Sequence, residues 1–199
     1  MKEIVFIGEP RASGAYVLRM RVDWPLALRF GRFRQGETIA LRAGEYVYVG
    51  SAMGRQGSTT LARRVLRHAT RSGARPPHAV RSRWQQALVA AGLLPSGGLP
   101  SPKRLHWHID YLLDEPLVEL SGVLLLGAAV SLESALAEVV SADPATFIPA
   151  AGLGASDAPG ATHFFGIDID GNARAVDDWW VDLAKRAGAI AATFADPSA

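Results

Sequence analysis

Two tyrosines stand in glycine-bounded tripeptides, Gly14-Ala15-Tyr16 and Tyr48-Val49-Gly50, each inside an apolar run with strand character. Directly after the second come Arg63, Arg64, Arg67, His68 and Arg71, and Glu133 follows near the start of a later helical pattern. Phenols, guanidinium groups and a carboxylate are what phosphodiester hydrolysis requires. A water must be held and deprotonated, charge on the non-bridging oxygens neutralised, and the leaving alkoxide stabilised. Arg64 offers a permanently charged planar fork for the phosphate. One carboxylate, with waters completing the shell, can hold a hard divalent cation as a Lewis acid. A phenol with an unperturbed pKa near ~10 is a poor base at neutral pH. Hydrogen-bonding a water is therefore the safer role for Tyr16.

Several elements must position these groups. Gly14–Val22 alternates as a strand with Tyr16, Leu18 and Met20 on one face, and Glu45–Gly50 is a second strand. Leu28–Phe33 and Thr38–Leu41 read as short strands about the Gln35-Gly36 turn. In the arginine-rich helix, Leu61, Ala62, Val65, Leu66 and Ala69 share one arc, with Arg63, Arg67 and Arg71 opposite. Arg64 and His68, four apart, share a ridge at the border. Further helices are expected over Ala79–Gly92, His106–Leu113, Ser131–Val140 and from about Asp177, with strands at Val118–Leu126 and His163–Ile167.

The 199 residues suit one domain with appendages, and 49% hydrophobic with 20% charged residues is a globular composition. No apolar run nears the ~18 residues of a membrane span. Met1-Lys2-Glu3 lacks the basic flank and apolar core of a secretory signal. Cysteine is absent, which excludes disulfides and thiolate metal sites and fits a cytoplasmic location. The net charge of +2 hides an asymmetry: residues 1–104 carry 18 Lys and Arg against 5 Asp and Glu, and residues 105–199 carry 3 against 14. A basic half suggests a polyanion partner. The plainer reading is that the two halves neutralise each other across an internal interface.

Taken with the tripeptides, Ser51-Ala52, Arg64-Val65-Leu66-Arg67-His68, the block His106-Trp107-His108-Ile109-Asp110-Tyr111-Leu112-Leu113, Glu133 with Leu136-Ala137, and Gly152–Phe165 follow in order. This series resembles the GIY-YIG endonuclease superfamily, most of all its small stand-alone bacterial and archaeal branch, over roughly residues 12–166. The resemblance implies an α/β (α+β) fold whose core is a central three-stranded antiparallel sheet flanked by helices. It also implies metal-dependent cleavage of nucleic acid with one Mg²⁺ or Mn²⁺. Carried over, Tyr16 is the first-motif tyrosine, a general base or water-positioning group, and Tyr48 orients the water or a metal-bound ligand. Arg64 stabilises phosphate charge, and Glu133 binds the metal, with Glu138 as the fallback carboxylate. His106 matches an active-site histidine of some members, with His108 its rival.

The expected organisation is a nuclease domain over residues 1–166, with a helical insertion at about 75–102 and extra hairpin strands. Residues 167–199 form a C-terminal helical extension docked on the core. Arg63, Arg67, His68, Arg71, Lys103 and Arg104 are the expected nucleic-acid contacts, DNA in preference to RNA, with no membrane partner. Arg81, Arg83 and Trp84 could form an additional contacting arm, or else one face of a solvated amphipathic helix. The last motif departs from the branch's Ser-Asp-Cys-x-Cys: this chain reads Ser156-Asp157-Ala158-Pro159-Gly160, leaving Asp157 and His163. Asp168, Asp170, Asp177 and Asp178 form an acidic patch read as a surface turn. The rival function is a nucleic-acid-binding module on the same fold that cuts slowly or not at all.

Overall fold

The second strand, β2 (Gly14–Val22), is buried along its length except at Arg21. A strand covered on both faces must be apolar on both, and Ala15 and Val17 alternate here with Tyr16, Leu18 and Met20. In the computed structural model, which describes residues 3–96, 103–155, 160–169 and 173–194 (backbone alone for 173 and 174), β2 lies near the middle of a mixed six-stranded sheet. Its neighbours are β5 (Gly44–Ala52) and β6 (Val118–Gly127), both antiparallel to it. β1 (Ile4–Ile7) runs parallel to β6 at one edge. At the other edge β8 (Phe164–Ile167) pairs with β5, and the short β7 (Thr146–Phe147) pairs with β8. β3 (Leu26–Arg29) and β4 (Thr38–Leu41) form a separate hairpin.

The sheet is therefore twice the width expected. Its three central strands, β6-β2-β5, are antiparallel as anticipated. β1 and β7 went unforeseen because four and two residues carry too little periodicity to register.

Helices cover both faces. α1 (Leu61–His68), α2 (Arg81–Ala90) and α3 (His108–Leu113) pack with the hairpin over the face that carries Tyr16 and Tyr48. α4 (Glu133–Ser141) and α5 (Ala173–Thr193) cover the opposite face, where Ala15, Val17, Val47 and Val49 point. Trp180 of the C-terminal helix packs over Gly122 of β6, so this helix closes one layer of the core. No helix among the described residues is long and apolar enough to cross a membrane.

α2 overturns the reading of the 75–102 region as a nucleic-acid arm. Trp84 and Leu88 are fully buried in the Tyr16-side core, and Arg83 is committed to a bidentate pair with Glu3. Burying an indole of this size is worth several kcal/mol, far more than a solvated stacking surface would return. Residues 97–102 of that region, Asp157 and Asp170 lie outside the described residues.

Part of the charge asymmetry resolves as internal pairing. Arg19 bonds Asp177, Arg42 meets Asp168, Arg67 and Lys103 face Asp110, Arg71 bonds Glu119, and Arg75 bonds Asp114. Each pair joins the basic half to the acidic half. The two interleave because β6 and α3–α5 from the second half wrap the β2–β5 pair from the first.

Candidate active site

The glycines of both tripeptides have steric reasons. Gly14 holds φ +152°, and a Cβ there would drive into the Leu126 carbonyl of β6. Gly50 pairs across the sheet with Tyr16, and a Cβ at Gly50 would meet the phenol oxygen at 2.5 Å. The first glycine lets β2 and β6 close up, and the second provides the floor on which the Tyr16 ring lies.

The ring ends in a hydrogen bond. Tyr16 Oη stands 2.8 Å from His68 Nε2, both groups fully enclosed, and His68 Nδ1 stands 3.5 Å from Asp110 Oδ1. The Asp110 carboxylate favours a proton on Nδ1, so Nε2 accepts from the tyrosine hydroxyl. Burial pulls the imidazole down to about 4 despite the opposing pull of Asp110, and the ring is neutral at physiological pH. Burial also pushes the Tyr16 phenol well above its usual range, which Arg64 only partly offsets.

Asp110 anchors this line. Its Oδ1 and Oδ2 take a bidentate pair of bonds from Arg67, both 2.9 Å, and Oδ2 also accepts the backbone N–H groups of His106 and Trp107. The last of these bonds caps the start of α3 from its third residue. Lys103 Nζ lies 3.7 Å away, and burial pulls that ammonium down to about 8. Burial alone would raise the Asp110 carboxyl, but its contacts with His68, Arg67 and Lys103 hold it far below the carboxylate range.

Arg64, half-buried, rests its guanidinium 3.9 Å from the centre of the Trp107 ring, with Arg67 at 4.4 Å from the same ring. Glu133 sits in the opposite helical layer as the first residue of α4, but at the same end of the sheet. Ser51 Oγ, past Gly50 on β5, donates to Glu133 Oε2 at 2.5 Å, and His163 Nδ1 lies 3.0 Å from Oε1. Burial would raise the Glu133 carboxyl, yet His163, Ser51 and Arg64 together hold it below its ordinary value. Arg64, on α1, is close enough to act electrostatically on both Tyr16 and Glu133.

The remaining expected residues divide. Tyr48 is buried with its ring centre 6.2 Å from that of Tyr16 and 6.0 Å from that of His68. His106 is exposed at the rim, its ring edge-on to Trp107 at 4.9 Å, and its side chain makes no hydrogen bond among the described residues. His108 turns away to accept the Gly154 N–H and packs on Phe33, and burial pulls its imidazole down. Glu138 is exposed farther along α4.

Three expected nucleic-acid contacts are not at the surface. The buried arc of α1 takes in His68 along with Leu61, Ala62, Val65 and Leu66, so His68 lies inside rather than at the border. Arg71, past the helix end, is 7% exposed and tied to Glu119 and to the Val118 and Pro76 carbonyls. Lys103 is enclosed beside Asp110. Arg63 is half-buried, Arg67 is spent on Asp110, and Arg104 is exposed.

The motif series includes Asp110, Trp107 and Ser51, but the sequence reading assigns none of them a role in the site. An acid three residues past a helix start is a readable capping signal, and it could have singled out Asp110. Nothing in the order of residues pairs it with Arg67.

Fold and site define an α+β protein in which a mixed sheet ends in a buried tyrosine–histidine–aspartate line, faced by an arginine and a glutamate. The chain belongs to the family described as "Domain of unknown function DUF123", whose profile matches residues 15–183. No curated protein and no solved structure matches it.

Proposed function

We propose that the protein is a cytoplasmic, metal-dependent endonuclease of the GIY-YIG type that hydrolyses nucleic-acid phosphodiesters, DNA in preference to RNA. What supports this reading is that Tyr16, bonded to His68, and Glu133, bonded to the Ser51 that follows the glycine opposite Tyr16, share one end of the sheet with Arg64 of α1. A cation fork between a water-positioning phenol and an ionised carboxylate is the polarity that a phosphate under attack requires.

In this reading Tyr16 donates a hydrogen bond to His68, which leaves the lone pairs of its enclosed oxygen to accept from a water that would have to enter the site with substrate. The high phenol pKa makes orientation, rather than prior ionisation, its contribution. The water oxygen bonds to phosphorus as the P–O bond to the leaving sugar breaks, and the proton that the attacking water loses passes through surrounding water to the departing alkoxide, so that the step balances. Arg64 neutralises the non-bridging oxygens throughout. Glu133 fits a hard-cation site: it is ionised, only partly buried, and each oxygen keeps a lone pair beyond its contact with Ser51 or His163. A bound Mg²⁺ or Mn²⁺ would supply Lewis acidity there. Nucleic acid would approach along Arg11, Arg55, Arg63 and Arg104, which enter no ion pair among the described residues. Arg11 and Arg55 lie on loops leaving the sheet at the Tyr16 end.

Labelled single-stranded, nicked and branched DNA, and RNA, incubated with the protein and Mg²⁺ or Mn²⁺ provide the test. Metal-dependent cuts that vanish in Arg64→Ala and Glu133→Gln are expected. Binding without cleavage of any substrate by the folded wild type would leave the non-cutting module as the function.

A further inference from the structure

His163 is the least satisfied polar side chain at this end of the sheet. It is 2% exposed, and neither ring nitrogen has a hydrogen-bond partner among the described residues. Buried imidazoles normally find partners, so neither tautomer of this ring is explained by the protein around it. Its Nδ1 nevertheless lies 3.0 Å from Glu133 Oε1, close enough to touch but misaligned for N–H donation.

Both groups are held in place. The His163 N–H bonds the Leu153 carbonyl and its own carbonyl receives the Val49 N–H, which fixes the backbone against β5. Ser51 pins the other Glu133 oxygen. An imidazole and a carboxylate are thus set side by side, with Ser51 adjacent and Arg64 close enough to act on the carboxylate.

The spacing suits two ligands of one ion. Two bonds of about 2.1 Å at a right angle put their donor atoms about 3.0 Å apart, whereas a tetrahedral angle would need about 3.4 Å. We propose that His163 Nδ1 and Glu133 Oε1 are adjacent ligands of one octahedral divalent cation, and that the imidazole makes a first-row ion such as Mn²⁺ preferred over Mg²⁺. Mg²⁺ takes oxygen ligands and surrenders its waters reluctantly, while imidazole nitrogen suits the transition ions. The inference rests on the metal component of the proposed function and not on cleavage.

MnCl₂ titrated into the full chain and followed by electron paramagnetic resonance tests it. The wild type should bind one Mn²⁺ with nitrogen coupling in the spin-echo modulation, and Mg²⁺ should compete at least tenfold more weakly. In His163→Gln, with its fold checked by circular dichroism, the coupling should disappear and Mn²⁺ affinity fall by about 10-fold or more. Mn²⁺ bound to the wild type without nitrogen coupling overturns the proposal, a result that needs no variant to fold. So does unchanged coupling in folded His163→Gln. Cleavage is read separately: nitrogen-coupled Mn²⁺ in a protein that cuts nothing removes the nuclease reading and leaves this one standing. Cleavage without such an ion does the reverse.

Discussion

The Tyr16 ring lies directly against Gly50 of the adjacent strand, where the first atom of any side chain would meet the phenol oxygen at 2.5 Å. The paired tripeptides are therefore one packing unit, a ring and the bare backbone beneath it. Gly50→Ala should tilt the ring and break the 2.8 Å bond to His68. We expect a stability loss of about 1–3 kcal/mol from overpacking, measured by urea unfolding, and at least 100-fold slower cleavage. Tyr16→Phe should keep the ring in place, cost about 1–3 kcal/mol for the orphaned His68 nitrogen, and lose cleavage; a fully active Phe variant would remove Tyr16 from the chemistry.

His68 and His78 give the fold a pH dependence of definite sign. Burial is the main cause of depression for both, to about 4 in each case. Around His78 stand Arg71 and Glu119, and around His68 stand Asp110, Arg67 and Lys103. The unfolded chain protonates these rings near ~6.5, whereas the folded chain resists until about 4, so the unfolded state binds more protons in that window. Stability is present above pH ~6.5 and drains away as pH falls toward 4, by roughly 2–3 kcal/mol per ring. Asp110, held low, acts in the same direction below its unfolded value of ~3.9. Urea midpoints at pH 7.5, 5.5 and 4.5 would show the decline, and His78→Gln should flatten it. An acid-independent midpoint would contradict the burial of both rings.

Asp110 carries more partners than any residue near the site, and its removal has a calculable consequence. Asp110→Asn would leave Arg67 and the enclosed Lys103 without their counter-charge and free the His68 tautomer. Breaking one side of a buried ion pair costs about 3–5 kcal/mol, enough to threaten a domain of this size. Asp110→Glu should recover part of the stability without restoring cleavage, because the longer chain misplaces the carboxylate behind the imidazole. Thermal unfolding and cleavage rates on the same preparations separate the two effects.

Much of this architecture could be read from residue order, and the omissions follow a physical rule. β2, β5, β6 and the helices announce themselves through periodicity, and Tyr16, Tyr48 and Arg64 stand in local motifs. Glu133 reads from residue order as an acid in the first turn of a helix, and its expected metal-binding role comes from the resemblance. What could not be read is which charges are spent inside. Arg71 and Arg63 look alike on a helical projection, yet one is locked to Glu119 and the other enters no ion pair among the described residues. His163 likewise acquires meaning only when a strand thirty residues downstream delivers it to Glu133. Long-range pairing of polar groups leaves no periodic trace.

Trp107 gives Arg64 its resting place, 3.9 Å from ring centre to guanidinium. An arginine held by an aromatic face loses little side-chain entropy when a phosphate arrives. Trp107→Leu should therefore slow cleavage about tenfold at saturating substrate while Trp107→Phe retains most of the rate. Arg67, held independently by Asp110, should keep its pairing in both. Equal losses in the two variants would mean that the indole contacts substrate itself.

The internal pairing of arginine sets how strongly salt should oppose nucleic-acid binding. Of the cations in the basic half, Arg19, Arg21, Arg34, Arg42, Arg67, Arg71, Arg75, Arg83 and Lys103 already face carboxylates. If Arg11, Arg55, Arg63 and Arg104 make the phosphate contacts, affinity for duplex DNA should fall with a log–log salt slope of about −3 to −4. The full positive excess of that half would give a far steeper one. Arg55→Gln and Arg63→Gln should each reduce the slope by about 1, whereas Arg71→Gln should lower the unfolding midpoint and leave the slope alone. Fluorescence anisotropy at 50–200 mM salt measures it directly. A slope near zero would remove nucleic acid as the partner, and one near −10 would mean that the internal ion pairs open on binding.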